Sequence, residues 1–154
     1  MEEFDKFYKS SIRFLSLRQR SEKEMRGYLK RKKCNDLTAQ KIVESLKRDK
    51  FINDEEFARM WIRSHTEIKP RSWRIIKSEL KMKGIAEDII ENYESMNKSG
   101  GQDKESAFKL AEKKLRTIHD KEKFKIREKL GRYLASRGFD WDTVKDVIDR
   151  VLEE

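Results

Sequence analysis

The side chains able to do covalent, metal or acid–base chemistry in this sequence are few and scattered. Histidine occurs only at His65 and His119, and cysteine only at Cys34. A zinc site needs about four such donors converging on one ion, and an activated nucleophile needs a base within hydrogen-bond reach. Neither histidine has a Cys or His partner at a metal-ligand spacing, and Cys34 falls within an apolar pattern that assigns it to the core. The acidic run Asp54-Glu55-Glu56 could suggest a cation, but acids in the first turn of a helix are what the helix dipole favours, so we read them as a helix start. No Walker-type phosphate loop, GxSxG elbow or GxGxxG turn occurs, and Ser99-Gly100-Gly101 reads as a linker. Trp61 and Trp73 lie in apolar stripes and read as core, whereas Trp141 begins a helix and is open to a surface role. The expectation is a protein with no catalytic residue, no metal and no cofactor.

The abundant chemistry is positive charge. The chain carries 38 Lys and Arg against 29 Asp and Glu, a formal charge of +9 with a pI near 9.6. Three segments concentrate it: residues 21–33 stand at +4, residues 69–83 at +5 and residues 121–137 at +5, which leaves the rest of the chain at −5. Such cations displace condensed counterions from phosphates, or pair with carboxylates, without reading base sequence. The candidate binding residues are Arg26, Lys30 and Arg31 in the first segment, and Arg63, Arg71, Arg74, Lys77 and Lys81 in and just before the second. Lys125, Lys129, Arg132 and Arg137 complete the set in the third. Arg74, Lys77 and Lys81 fall beside the stripe Trp73, Ile76, Leu80, which predicts that they are displayed, and Arg71 is expected on the same exposed face.

The elements that must position these charges are helices. Proline occurs once, at Pro70, and apolar residues recur three and four positions apart nearly throughout. Phe4, Tyr8, Ile12 and Leu15 mark a first helix. Ser21 with Glu24 forms a capping box for a second that carries Met25 and Leu29, and Ala39, Ile42, Val43 and Leu46 mark a third. Asn53 and Glu56 form a further capping pair ahead of Phe57, Trp61 and Ile62. Pro70 suits the first turn of the next helix, which carries Trp73, Ile76 and Leu80 and stops at Gly84. Ile89, Ile90, Tyr93 and Met96 follow; then Phe108, Ala111, Leu115 and Ile118; then Phe124, Leu130 and Leu134, ended by Gly138; then Val144, Val147, Ile148 and Val151.

These nine stripes repeat. Shifts of 51 and 105 align Met25, Ile76 and Leu130, and likewise Leu29, Leu80 and Leu134, then Cys34, Ile85 and Phe139. The turn recurs as Lys83-Gly84-Ile85 and Arg137-Gly138-Phe139, but reads Lys33-Cys34 in the first copy, without the glycine. Ile75, opposite the core stripe of its helix, is expected to contact a neighbouring repeat. The fold class is therefore all-α: three tandem three-helix repeats, residues 1–50, 51–98 and 102–154. Charged residues make up 44% of the chain, against about 25% in ordinary domains, and apolar residues 36%, which favours an elongated array with much surface. No stretch approaches the ~20 apolar residues of a membrane span, and the amino end lacks the pattern of a signal peptide. A soluble, cytoplasmic monomer with no membrane partner is expected.

The middle repeat carries a recognisable pattern. Phe51-Ile52-Asn53-Asp54-Glu55-Glu56-Phe57-Ala58 leads to Trp61-Ile62-Arg63-Ser64, then Pro70-Arg71-Ser72-Trp73-Arg74-Ile75-Ile76 and Lys83-Gly84-Ile85. This resembles the signature of the RecX family. Arg18-Gln19-Arg20-Ser21-Glu22-Lys23-Glu24-Met25 and Tyr133-Leu134-Ala135-Ser136-Arg137-Gly138-Phe139 resemble its first-repeat entry and third-repeat turn. Lys33-Cys34, Lys69 and Ala86 depart from its usual glycine–aromatic turn, glycine before the proline, and Asp cap. The resemblance implies three tandem three-helix repeats forming an elongated, curved array, in a non-enzymatic regulator. It also implies the RecA recombinase filament as partner, with inhibition of that filament's ATP hydrolysis, strand exchange and co-protease activity. Contact with single- and double-stranded DNA, weak and non-specific, is implied too. The units also look like helix-turn-helix modules, so the alternative is a DNA-binding repressor, although the basic helices offer Lys and Arg along their length rather than residues aimed at base edges.

Overall fold

The computed structural model describes residues 2–96 and 100–153, and among these the regular structure is entirely helical. The α-helices are α1 (Glu2–Leu17), α2 (Glu22–Arg31), α3 (Asp36–Arg48), α4 (Asp54–Arg63), α5 (Trp73–Met82), α6 (Glu87–Met96), α7 (Gly100–Leu115), α8 (Lys123–Ser136) and α9 (Trp141–Glu153). A π-helical segment, Ser64–Ile68, extends α4, closed by Lys69 N–H donating to Ser64 O over 3.0 Å.

The local signals explain most boundaries. The Ser21 hydroxyl accepts from Glu24 N–H and the Glu24 carboxylate accepts from Ser21 N–H, so both halves of the capping box are present at α2. Asn53 Oδ1 accepts from Glu55 and Glu56 N–H at 3.0 and 3.2 Å and starts α4. Gly84 and Gly138 stop α5 and α8 with φ of 78° and 88°, a left-handed conformation that glycine adopts without steric cost. Two expectations need correction. Pro70 lies outside the helices: α5 begins at Trp73, and the Ser72 hydroxyl accepts from Ile75 N–H, the place Ser21 holds at α2. The linker reading of Ser99-Gly100-Gly101 also yields, since α7 already includes both glycines, while Ser99 lies outside the described residues.

Packing divides the chain into two compact units, Met1–Met60 with Leu80–Ile89, and Trp61–Glu79 with Ile90–Glu154. In the first, Met25, Leu29, Ile42, Val43 and Leu46 are fully buried with Cys34 and Ile52, under a cover of Phe4, Tyr8, Ile12 and Leu15 from α1. In the second, α8 and α9 bury Leu130, Leu134, Val144, Val147 and Ile148 against Ala107 and Ala111 of α7. Each such aliphatic side chain contributes about 1.5–3 kcal/mol, and the small residues of α7 allow its close approach. Cys34 is 7% exposed, and burial, followed by the nearby Glu3 and Asp36 carboxylates, pushes its thiol up, which agrees with a packing role.

Two equivalent junctions, one inside each unit, join successive copies of the three-helix motif. In the first unit the Ser21 hydroxyl donates to Lys83 O at 2.7 Å, and a Cβ on Gly84 would lie 2.6 Å from Lys23 Cβ. In the second, Ser72 N–H donates to Arg137 O at 3.0 Å, and a Cβ on Gly138 would lie 2.2 Å from Ile75 Cδ1. The donors differ for a clear reason. At position 21 the backbone N–H is taken by the capping-box Glu24, whereas at 72 the corresponding residue is Ile75, which cannot accept. A second equivalence is closer still: Asp54 Oδ1 accepts from Glu22 N–H at 2.9 Å, and Asp103 Oδ1 from Trp73 N–H at 2.8 Å. In each junction a carboxylate at the start of one copy thus caps the second helix of the copy before it.

Candidate interaction surface

The candidate cations divide into those held by carboxylates and those that are not. On α2, Arg26 is exposed but tied to Glu22 at 3.0 Å and to Gln40 at 2.8 Å. Lys30 and Arg31, in the last turn of α2, are exposed with no carboxylate partner among the described residues. The same holds for Lys81 in the last turn of α5. Cations in a last turn are favoured by the helix dipole, so these helices are stabilised by the charges they display.

The middle segment departs from expectation. Arg71 is half-buried and paired with Glu79 at 2.6 Å, and Lys77 is half-buried and paired with Glu94 at 2.8 Å. Neither is freely displayed. The acids responsible lie on α5 itself and on α6, outside the apolar stripe that suggested the exposed face. Arg74 is exposed, and its guanidinium donates to Gly138 O at 3.3 Å, so it also braces the second junction. Trp73 is likewise committed: its indole N–H donates to Glu94 at 2.8 Å and its ring meets Tyr93 at 4.9 Å. Arg63 is exposed and reaches Glu67 at 3.3 Å.

On α8 every candidate is exposed. Lys125 meets Glu122 at 3.8 Å, Lys129 pairs with Asp120 and Arg132 with Glu128. Arg137 stacks its guanidinium on the Tyr133 ring at 5.0 Å. Surface pairs of this kind are worth about 0–1 kcal/mol each, so their cations exchange partners readily. Trp141 is 72% exposed, in keeping with the surface role its position suggested.

Sequence reasoning missed the two junction carboxylates. Burial raises Asp54 and Asp103 above the ordinary aspartate range, only partly offset by the N–H that each accepts. The signal was present, since each is an Asp near the start of a copy's first helix, but the cap it supplies belongs to another helix. Glu24 behaves differently. Its burial alone would raise it, yet Arg18, the Ser21 N–H and Lys83 hold it below the usual carboxylate range. No group of metal-binding side chains occurs among the described residues, and no helix described is long and apolar enough to cross a membrane.

Tandem three-helix units joined by serine–glycine junctions, with lysine and arginine on their second helices, define an all-helical repeat protein. Comparison with known families agrees: residues 8–46, 53–93 and 102–148 match the models of the first, second and third three-helix domains of RecX. The chain is 35% identical over 152 residues to the regulatory protein RecX of Clostridium perfringens, covering 97% of this chain and 70% of that protein. It is 34% identical over 142 residues to the regulatory protein RecX of Prosthecochloris aestuarii, covering 92% and 91%. The crystal structure of RecX from Lactobacillus salivarius has the same fold, with a TM-score of 0.75 over 99% of both chains at 24% identity. The chain belongs to the RecX family, whose named members here are regulatory proteins.

Proposed function

We propose that this protein binds the RecA recombinase filament on DNA and restrains its ATP hydrolysis, strand exchange and co-protease activity, with no catalysis of its own. Membership of a family of regulatory proteins supports the reading. The observation that carries it is the display of Lys30 and Arg31 on α2 and Lys81 on α5 without carboxylate partners, which leaves these charges available to an anionic surface while they stabilise their helix ends. The exposed cations Lys125, Lys129 and Arg132 of α8, Arg137 at its carboxyl-terminal cap and Arg74 on α5 supplement them; Arg26, Arg63, Arg71 and Lys77 contribute after exchanging a partner. We further propose a cytoplasmic monomer of three repeats, 1–50, 51–98 and 102–154, that meets more than one filament subunit. Its contact with single- or double-stranded DNA is weak and indifferent to sequence.

The test is direct. Added at concentrations well below that of RecA, the purified chain should slow ATP turnover by preformed filaments on single-stranded DNA. Charge reversal is best applied at Lys30, Arg31 and Lys81, because reversing Arg71 or Lys77 would set acid against Glu79 or Glu94 and confound binding with folding. The Lys30→Glu, Arg31→Glu, Lys81→Glu protein should keep its helical dichroism and lose inhibition. Unaltered filament ATPase with the wild-type chain would refute the function, and full inhibition by the folded triple variant would refute the surface.

A further inference from the structure

Within the second unit, the π-helical segment, the carboxyl-terminal half of α7 and that of α8 enclose a groove of about 590 Å³, within the range of about 300–1,000 Å³ usual for ligand clefts. Its floor is aliphatic, from Ile75 and Leu110, and Ile68 stands at its rim with 71% of its surface exposed. Its charge is one-sided. Glu67 is the one acid in the lining and is engaged by Arg63, while Arg71 is satisfied by Glu79 and Lys109 lies 3.8 Å from Glu105. Lys69, Lys113 and Arg137 line it with no carboxylate partner among the described residues.

We propose that this groove binds an extended acidic segment of a partner protein that carries one leucine-sized side chain. That side chain lies on Ile75 and Leu110 beside Ile68, and the flanking carboxylates meet Lys69, Lys113 and Arg137. The cations alone would equally suit a nucleic-acid backbone, but the rest of the groove does not. Single strands gain affinity by stacking bases on open aromatic faces. Tyr133 is the aromatic residue in the lining, and its ring is already covered by the Lys114 ammonium at 5.1 Å and the Arg137 guanidinium at 5.0 Å. An aliphatic floor with an exposed isoleucine rewards an aliphatic side chain instead, since burial of apolar area is the gain on offer. Exposed lysines at the mouth add steering and register, while the aliphatic floor sets the preference for leucine. The groove shares Arg71 and Arg137 with the surface proposed for the filament, but peptide probes contain neither RecA nor DNA, so failure of the groove and failure of the filament reading are distinguishable.

The experiment uses the full chain and three fluorescent probes: a peptide with a single leucine flanked by aspartate and glutamate runs, the same peptide with serine for leucine, and single-stranded oligothymidylate. Anisotropy gives affinity, and amide chemical shifts of the isotope-labelled chain locate the site. The leucine peptide is expected to bind in the micromolar range and shift amides around Ile68, Ile75, Leu110 and Lys113; the serine peptide should bind about tenfold more weakly. Lys69→Glu with Lys113→Glu should weaken both peptides about tenfold or more. Ile68→Ser should reduce the preference for leucine while leaving the serine peptide unaffected. These exposed positions are chosen so that the fold survives, checked by the amide spectrum. Equal binding of the two peptides, shifts elsewhere on the chain, no peptide binding, or groove shifts with oligothymidylate alone would each overturn the proposal.

Discussion

Alanine at Gly138 should be among the most damaging single-methyl additions in this chain. The residue lies at φ 88°, where a side chain meets backbone strain of roughly 1–2 kcal/mol. Its new Cβ would also lie 2.2 and 2.6 Å from Ile75 Cδ1 and Cγ1 and 2.5 Å from Ser72 Oγ. Those are not loose surface atoms: Ser72 is buried and caps α5, and its N–H donates to Arg137 O, so the turn and the helix start must separate. Overpacking of this kind costs about 1–3 kcal/mol, giving about 2–5 kcal/mol in all. Gly131, seven residues earlier on α8, is the internal control. A Cβ there would lie 3.8 Å from Ile148 Cδ1, ordinary contact, so Gly131→Ala should stabilise by about 0.5–1 kcal/mol through helix propensity. Urea unfolding of the two variants under identical conditions supplies the comparison, with amide exchange at Ser72 as a local reporter. The wild-type Ser72 amide should exchange slowly and the Gly138→Ala amide quickly. If Gly138→Ala costs less than about 1 kcal/mol, or shifts the midpoint in the same direction as Gly131→Ala, the junction is not packed as described.

Three further outcomes are expected. Asp54→Asn and Asp103→Asn keep an acceptor for the Glu22 and Trp73 N–H groups without a buried charge, so urea midpoints at neutral pH should hold or rise, whereas Asp54→Ala should lose about 1 kcal/mol of capping. The sign with pH follows from burial raising both carboxyls in the folded state. Their stability contribution is most favourable below the unfolded aspartate value and falls as pH rises through the folded one, so the Asn variants' advantage should vanish in acid. Small-angle scattering tests the elongated array that the composition favours: the radius of gyration should exceed the roughly 15 Å of a compact chain of this length, and a value near 15 Å would refute that expectation. DNA affinity should fall steeply with salt and vary little with sequence; a duplex bound thousands-fold better than its scramble would favour the repressor reading.

Much of the helical framework was legible in the residues because its causes are local. The Ser21–Glu24 box, the stops at Gly84 and Gly138 and the apolar stripes of α2, α3 and α9 each depend on spacing within a few turns. The surface was less legible. A helical wheel places Arg71 and Lys77 away from the core, but cannot supply Glu79 eight residues on or Glu94 on another helix. Pro70 misled for a similar reason: its preference for a helix's first turn is real, yet the chain bends after a π-helical turn and gives the cap to Ser72.

The missing glycine of the first copy shows where that division falls. The amino-acid pattern alone determined that positions 33, 84 and 138 are equivalent, since core spacing around each is the same. It offered no reason why the first should be lysine. All three take the left-handed conformation, Lys33 at φ 62°, so backbone geometry does not separate them. What separates them is tertiary: Gly84 lies against Lys23 and Gly138 against Ile75 and Ser72, each on the copy before its own. The side chain of Lys33 is exposed, while one at 84 or 138 would meet another helix. Helix formation and periodicity are properties of neighbouring residues, and so can be read in order along the chain. The need for glycine, the caps from Asp54 and Asp103 and the pairing of the cations arise only when residues distant in sequence are brought into contact.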